Sequence, residues 1–428
     1  MINKLFHNNV AKNASWLIVS KIFQMVLGFL VGIMSARYLG PSNYGVINYA
    51  AAYTAFFTSL CTLGINSVII KEFVDNKNKE GRVIGTALGL RAISSILSAI
   101  IIVCISCFID KGEMTTILVV ALSSIGTIFY IFEIFAYWFQ ARLESKKMAI
   151  ASLIAYSVTT IYKFVLLVTS KPVLYFAAAT SVDYICIAII LIFFYIRADG
   201  PPISFSLTYA KKLLQKSCHF ILPGMLVAIY GQTDKLMLKH MISEAEIGYY
   251  ATASGLCNMW CFVLNAIIDS MTPIIMQAYN ENRDRFERLN RVLYCIIIYV
   301  SVFVSLIFMI FGSFIIGVLY GEAYLPALTP LKVITWYTAF SYLGVARTAW
   351  LVCENKQKYL LRIYASAALS NIILNIMLIP QMGATGAAIA SLIAQIITTM
   401  ITPFFVKDMR RNSIMMVEAM LFKNIKGD

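Results

Sequence analysis

Ionisable side chains stand inside strongly apolar stretches of this 428-residue chain: Lys21, Arg91, Lys163, Lys235, Lys332 and Arg347 against Glu133, Asp183, Asp234 and Asp269. A charge among apolar side chains is costly unless it meets a partner, water or a ligand. Cations outnumber acids in this set, which suits an anionic ligand. Asp234 and Lys235 are sequence neighbours, about 100° apart on a helix, so they do not face each other and must find partners elsewhere. Polar residues recur beside these charges at helical spacing. Ser254, Asn258, Cys261, Asn265, Asp269 and Thr272 step by three or four and share one face. Asn48, Ala52, Ala55, Ser59, Thr62 and Asn66 form a second stripe, and Lys21, Gln24, Gly28 and Ser35 a third. Interhelical hydrogen bonding is the plain structural explanation for such stripes; their recurrence in both halves of the chain favours a shared polar path. The candidate ligand-binding residues are therefore Lys21, Gln24, Asn48, Asn66, Arg91, Lys235, Asn258, Asn265 and Arg347, and the candidate ion-coupling acids are Asp234, Asp269 and Glu133.

Other chemistries fit poorly. The sequence holds no GxxxxGK[ST] phosphate loop. His7, His219 and His240 are scattered and form no catalytic arrangement. The acids expected in outer loops, Asp110, Glu113, Glu244, Glu246 and Glu322, read as solvated loop residues. Cys61, Cys104, Cys186, Cys257, Cys261 and Cys295 lie in apolar runs, and the Cys104–Cys107 pair reads as small residues packing between helices. No catalytic residue, metal site or cofactor is expected.

The elements that must position these groups follow from composition. The chain is 60% hydrophobic and 13% charged, where a soluble domain carries about 25% charge. A membrane span needs about 20 mostly apolar residues. About twelve such stretches are present, at 14–36, 43–70, 83–107, 115–139, 149–170, 173–196, 218–241, 247–279, 292–320, 330–352, 359–379 and 387–406. Lys and Arg crowd one set of connections: Lys4 and Lys12, Lys71 to Arg82, Arg142 to Lys147, Arg197 to Lys216, Arg283 to Arg291, Lys356 to Arg362 and the tail. The alternate set holds Arg37, Lys111, Lys171 and Lys239. The positive-inside rule then places both termini in the cytoplasm. It also assigns most of the +14 formal charge to membrane orientation rather than to nucleic acid.

The predicted organisation is all-α and polytopic, with six-helix bundles at 1–196 and 218–406. Between them lies an amphipathic cytoplasmic linker, 197–217, in which Ile203, Leu207, Ala210 and Leu214 oppose Lys211, Lys212 and Gln215. A cytoplasmic tail follows at 407–428, its apolar part, Met415–Phe422, lying at the membrane surface. The bundles read as parallel repeats: at an offset of 203, Gly28, Met34 and Gly45 meet Gly231, Met237 and Gly248, and at 210, Glu144 and Lys146 meet Glu354 and Lys356. Parallel six-helix repeats belong to alternating-access transporters.

Four stretches carry a specific resemblance: SARYLGPSNYGVINYAAAY, Thr233-Asp234-Lys235 followed by IGYYATA, GEAYLPALTPLKVI, and IPQMGATGAAIASLIAQ. In this order they resemble the polysaccharide-exporter branch of the multidrug/oligosaccharidyl-lipid/polysaccharide superfamily, and are similar to the O-antigen and capsule flippases of the Wzx type. The resemblance implies a twelve-span, two-bundle fold. It implies transport, not catalysis: undecaprenyl-pyrophosphate-linked oligosaccharide repeats move from the inner to the outer leaflet of the bacterial inner membrane. The implied partners are the lipid-linked oligosaccharide, membrane lipid, and a polysaccharide polymerase with its chain-length regulator. On this reading Lys21 and Lys235 contact pyrophosphate, Asn48, Asn66, Asn258 and Asn265 face sugar, and Asp234, Asp269 or Glu133 carries a coupling proton. The alternatives are an ion-coupled multidrug or cation exporter of the same superfamily and a polysaccharide polymerase. A cation exporter favours an acidic, aromatic-lined cavity, whereas the first span carries Lys21 and no acid.

Overall fold

A computed structural model describes the backbone of residues 2–423 and the side chains of Trp16 and of residues 19–423 other than Ser67 and Lys77. Lys4, Lys12, Lys77 and Lys426 of the orientation argument lie outside the described side chains. Every regular element among the described residues is helical: α1 (Ile2–Thr62), α2 (Asn66–Asp75), α3 (Glu80–Ile109), α4 (Met114–Phe129), α5 (Glu133–Ala141), α6 (Ser145–Val168), α7 (Val173–Arg197), α8 (Leu207–Met241), α9 (Glu244–Glu281), α10 (Arg283–Leu319), α11 (Leu328–Cys353), α12 (Leu360–Ile396), α13 (Thr402–Phe405) and α14 (Arg410–Met420).

Nine helical stretches of the described chain are long and apolar enough to cross a membrane. Two of them carry a sharp break: Gly40 (φ 72°) within α1 and Gly383 (φ 54°) within α12, a left-handed backbone that glycine adopts without a Cβ penalty. Each broken stretch therefore supplies two passes. The Leu328–Cys353 helix, diluted by Lys332 and Arg347, supplies one more. The twelve-helix all-α architecture expected from hydropathy is thus the one observed. One span ends early. The stretch 43–70 stops at Thr62, where Leu63 (φ 51°) and Gly64 (φ 63°) turn the chain, and α2 starts separately at Asn66.

The chain forms two compact units, 1–39 with 46–228, and 40–45 with 229–428. In the first, Ile65, Phe73, Ile84, Phe135, Trp138, Phe139 and Leu191 build a buried core. The connector after α7 belongs to this core. Pro201 and Pro202 cannot supply helical N–H groups, and residues 200–206 run without helix before α8 begins. The amphipathic helix expected from Ile203 is therefore an extended strap up to Leu207. It lies on α3, whose Gly81 and Gly85 leave space that a Cβ would fill against the Pro202 and Ser204 carbonyls. The Ser204 N–H donates to the Gly81 carbonyl at 3.1 Å and the Ser206 N–H to Thr86 Oγ1 at 3.2 Å.

The start of α8 is fastened to α2 through Glu72, which accepts from the Lys216 ammonium and the Tyr209 hydroxyl. Burial acts to raise the Glu72 carboxyl, but Lys216 and Tyr209 outweigh it and hold the group below the ordinary glutamate value. A depressed carboxyl stabilises the fold above its unfolded value of about 4.3, and that contribution is lost as pH falls through the folded value. The melting temperature of the detergent-solubilised protein should consequently fall more steeply below about pH 4.3 than that of Glu72→Gln. Parallel curves for the two proteins would contradict this assignment.

In the second unit, Leu293, Tyr294, Ile297, Leu343, Trp350, Met415 and Met416 share a buried core. The tail, placed at the membrane surface by its composition, packs on α10 as α14. Arg411 pairs with Glu287, Arg291 Nε meets Glu418 at 2.5 Å, and Asn412 Nδ2 donates to the Tyr294 hydroxyl at 2.6 Å. The ion pairs and the buried Met415 and Met416 account for its mixed composition: this helix has a protein surface to cover. The repeat-equivalent glycines Gly45 and Gly248 also meet in this unit. A Cβ on Gly45 would overlap the Glu244 carbonyl, and one on Gly248 the Pro41 carbonyl.

Two other expectations are corrected. Asp110 is buried rather than solvated, accepting from the Tyr49 hydroxyl at 2.9 Å and Ser106 Oγ at 2.8 Å. Its proximity to a turn hid the fact that Ser106, one helical turn earlier, points back at it. Cys104 and Cys107 are exposed on α3 and do not pack between helices, because the buried positions of that helix, Ser95, Ser98, Ile102 and Ser106, lie on another face.

Candidate functional site

The densest buried polar cluster gathers around Asp234 in the second unit. Asp234 sits on α8 and is 3% exposed. Its Oδ1 accepts from Asn375 Nδ2 at 2.7 Å and Asn371 Nδ2 at 3.0 Å. Its Oδ2 accepts from the Tyr250 hydroxyl and from Ser391 Oγ, both at 2.5 Å. Asn371 and Asn375 are one turn apart on α12, which brings both amides to the same point; Ser391 lies beyond the Gly383 break on the same helix, and Tyr250 comes from α9. Two oxygens receiving four donors fill the acceptor capacity of an ionised carboxylate. The group is satisfied as an anion without an ion pair to any of these partners.

Lys235, the next residue, turns away from this cluster and reaches Gln232 Oε1 at 3.3 Å. It lines a cavity of about 180 Å³ together with Asp234, Tyr230, Ser254, Asn258 and Tyr337. More of the cavity wall is polar than is usual for a small-molecule pocket, where apolar side chains predominate.

Each unit also buries an arginine against a helix irregularity. In the second unit Arg347 is 3% exposed, and its Nη1 donates to the Thr399 and Thr398 carbonyls at 3.2 and 3.3 Å. Residues Ile397–Ile401 form a π-turn in which the Thr402 N–H bonds the Ile397 carbonyl. That register takes the Thr402 N–H from Thr398, and Pro403 has no N–H to offer Thr399. The guanidinium supplies what both carbonyls lack. In the first unit Arg91 is fully buried and donates from Nη1 to the Tyr130 carbonyl at 2.9 Å, where residues 130–132 form a 3₁₀ turn, and to Glu133 Oε2 at 3.3 Å.

The remaining residues singled out from sequence scatter. Lys21 is exposed on α1 with no ion pair among the described residues, and Gln24 is half-buried beside it. Asn48 is half-buried, while Asn66 opens α2 with its Oδ1 buried and without a donor. Asn265 Nδ2 donates to the Tyr342 hydroxyl at 3.1 Å, and Asp269 is exposed one turn further along α9. The structure therefore brings together Arg91 with Glu133, and Asp234 with Lys235 and Asn258. It gives Arg347 a separate cavity, shared with Tyr230, Tyr364 and Gln395. Sequence reasoning missed Tyr250, Asn371, Asn375 and Ser391. The available signals were the Asn371–Asn375 pair at a spacing of four within an apolar run and the places of Tyr250 and Ser391 inside IGYYATA and IPQMGATGAAIASLIAQ.

Buried charges held inside long apolar helices, beside a polar cavity, define an integral membrane protein. The polysaccharide biosynthesis protein family matches residues 10–279, and the MatE family matches residues 220–377. The chain belongs to the polysaccharide biosynthesis protein family. It is 19% identical over 415 residues, covering 95% of this chain and 98% of the relative, to an Escherichia coli (strain K12) protein described as "Putative O-antigen transporter". Among solved structures it superposes on an inward-facing multidrug resistance MATE family transporter of the MOP superfamily with TM-score 0.73, at 13% identity and covering 92% and 95% of the two chains. The lipid II flippase MurJ, in an inward closed conformation, gives TM-score 0.70 at 15% identity, covering 95% and 91%. The chain thus has the fold of MOP-superfamily transporters.

Proposed function

We propose that this protein is a flippase that moves undecaprenyl-pyrophosphate-linked oligosaccharide repeats from the inner to the outer leaflet of the bacterial inner membrane, for O-antigen or capsule synthesis. The observation that carries the reading is a polar, amide- and hydroxyl-lined cavity within the helices of a polysaccharide biosynthesis family member. Taking one unpaired hydroxyl into hydrocarbon costs roughly 4–8 kcal/mol on an alkane scale, so an oligosaccharide needs such groups along its route. The E. coli relative's description supports the same substrate class. The anionic head also gains roughly 2.3 kcal/mol per charge for each 100 mV on moving outward. The two halves act as the moving parts of alternating access, Asp234 is the coupling group, and no bond is made or broken in the substrate.

Lys21, exposed and without an ion pair among the described residues, is the side chain proposed to meet the pyrophosphate. A charge-assisted hydrogen bond contributes about 1.5–3 kcal/mol, so Lys21→Ala should cut transport by about ten- to a hundredfold at an unchanged protein level. Wild-type transport by that variant would remove Lys21 from the route.

One observation favours a cation exporter. In the first unit Phe129, Tyr130, Tyr137 and Tyr184 line an apolar cavity of about 150 Å³ with Glu133 at its wall, a composition that suits an organic cation. The Arg91 guanidinium bonded to Glu133 cancels that carboxylate and disfavours the reading. Lipid extracts from a strain lacking the protein decide between the two. A complete single repeat on its lipid carrier, inaccessible from the periplasm, is the result expected of a flippase. Normal glycans with raised sensitivity to cationic drugs would establish the exporter.

A further inference from the structure

Resting on the flippase reading, we infer that the cavity beside Lys235 is a subsite for one uncharged pyranose ring of the glycan and is not the seat of the pyrophosphate. The cavity wall contains one ammonium, Lys235, and one carboxylate, Asp234, and no other Lys, Arg, Asp or Glu side chain lines it. The four donors to Asp234 are all neutral groups, so they stabilise its charge without cancelling it, and Lys235 is already balanced by its neighbour. A pyrophosphate diester is a dianion. Placed here it would meet no unbalanced cation, and a buried charge without compensation is strongly disfavoured. A neutral sugar leaves the balance untouched.

Size and wall chemistry agree. A cavity of about 150 Å³ accommodates one benzene ring; at about 180 Å³ this one suits a single six-membered ring rather than an oligosaccharide. Tyr230 and Tyr337 offer aromatic surface to the C–H faces of a pyranose. Gln232, Ser254 and Asn258 provide amide and hydroxyl groups that both donate and accept, as sugar hydroxyls require. Asn258 is exposed on α9 with no hydrogen bond within the described residues, so its amide is available to a ligand. Lys235, expected from sequence to contact pyrophosphate, is thereby reassigned to the glycan.

The test uses the full-length protein in lipid nanodiscs, with methyl β-glucopyranoside, methyl β-glucopyranosiduronate, inorganic pyrophosphate and tetraphenylphosphonium as separate probes. Saturation-transfer NMR should show protein contact at the ring protons of methyl β-glucopyranoside and weaker contact at those of the glucopyranosiduronate, both unaffected by added pyrophosphate. The signal should drop severalfold in Asn258→Leu, whose exposed position leaves the fold intact, and in Tyr337→Leu if its melting temperature matches wild type. Displacement of the glycosides by pyrophosphate, an unchanged signal in Asn258→Leu, or no glycoside contact at all would overturn the subsite. The first of these outcomes, alongside a trapped lipid-linked repeat in the deletion strain, leaves the flippase reading standing. Binding of tetraphenylphosphonium alone, with normal lipid extracts, sinks both.

Discussion

Asp234→Asn should accumulate at close to the wild-type level yet transport at least tenfold less, whereas Asp234→Leu should fail to accumulate. The two variants separate the hydrogen-bonding role of Asp234 from its charge. In the asparagine variant one oxygen still accepts, and the Tyr250 and Ser391 hydroxyls can rotate to accept from the new amide. Little stability is lost, and what disappears is a negative charge beside Lys235. In the leucine variant four donors from three helical segments lose their acceptor. Each buried group left without a partner costs about 1–3 kcal/mol, a large share of the roughly 5–15 kcal/mol that holds a typical protein folded. Asn371 retains Ser391 Oγ at 3.2 Å, and Asn375 retains Asn371 Oδ1 at 3.0 Å, so the losses are not additive. Protein level read beside a flipping assay checks both expectations. Normal transport by the asparagine variant would leave Asp234 a purely structural residue and remove it from ion coupling.

The second large effect concerns Arg347 and Pro403. Arg347→Leu strands the Thr398 and Thr399 carbonyls, at about 1–3 kcal/mol for each, although removing a buried charge recovers part of that. In a Pro403→Ala background residue 403 regains an N–H, which can bond the Thr399 carbonyl in α register. Arg347→Leu should then cost less, with a coupling of about 1–2 kcal/mol between the two sites, within the range for residues sharing one partner. Denaturation of the four proteins of the cycle in detergent measures it. Additive effects would mean that the guanidinium does not compensate for the proline.

These two sites show what sequence can and cannot reveal. The number of helical passes was readable because each needs a long apolar run, and hydropathy is a local property. Asp234 stood out for the same local reason: an acid in an apolar stretch. Its partners did not, because Tyr250, Asn371, Asn375 and Ser391 lie 16, 137, 141 and 157 residues away and converge only through helix packing. Arg91 and Arg347 stood out in the same way, but the backbone carbonyls that engage Nη1 of each, at a 3₁₀ turn and a π-turn, did not. Such turns depend on helix register. Pro403 was the clue to one of them, since a proline within a helical run denies the carbonyl four residues before it a donor. Charge near a predicted loop misled in the opposite direction at Asp110, where burial depends on how α3 meets α1 rather than on distance from a turn.

The meeting of Gly45 and Gly248 has a genetic consequence. When two side chains collide, trimming one relieves the other, and a second-site suppressor can arise. Here each glycine faces the other segment's carbonyl, and a carbonyl has no smaller allele. Neither position can compensate for a change in the other, because both are already at the minimum size. The crossing is therefore a locus where restored function comes from true reversion, and the two halves of the chain are bound to keep the same residue at the same place however far the rest of their sequences drift apart.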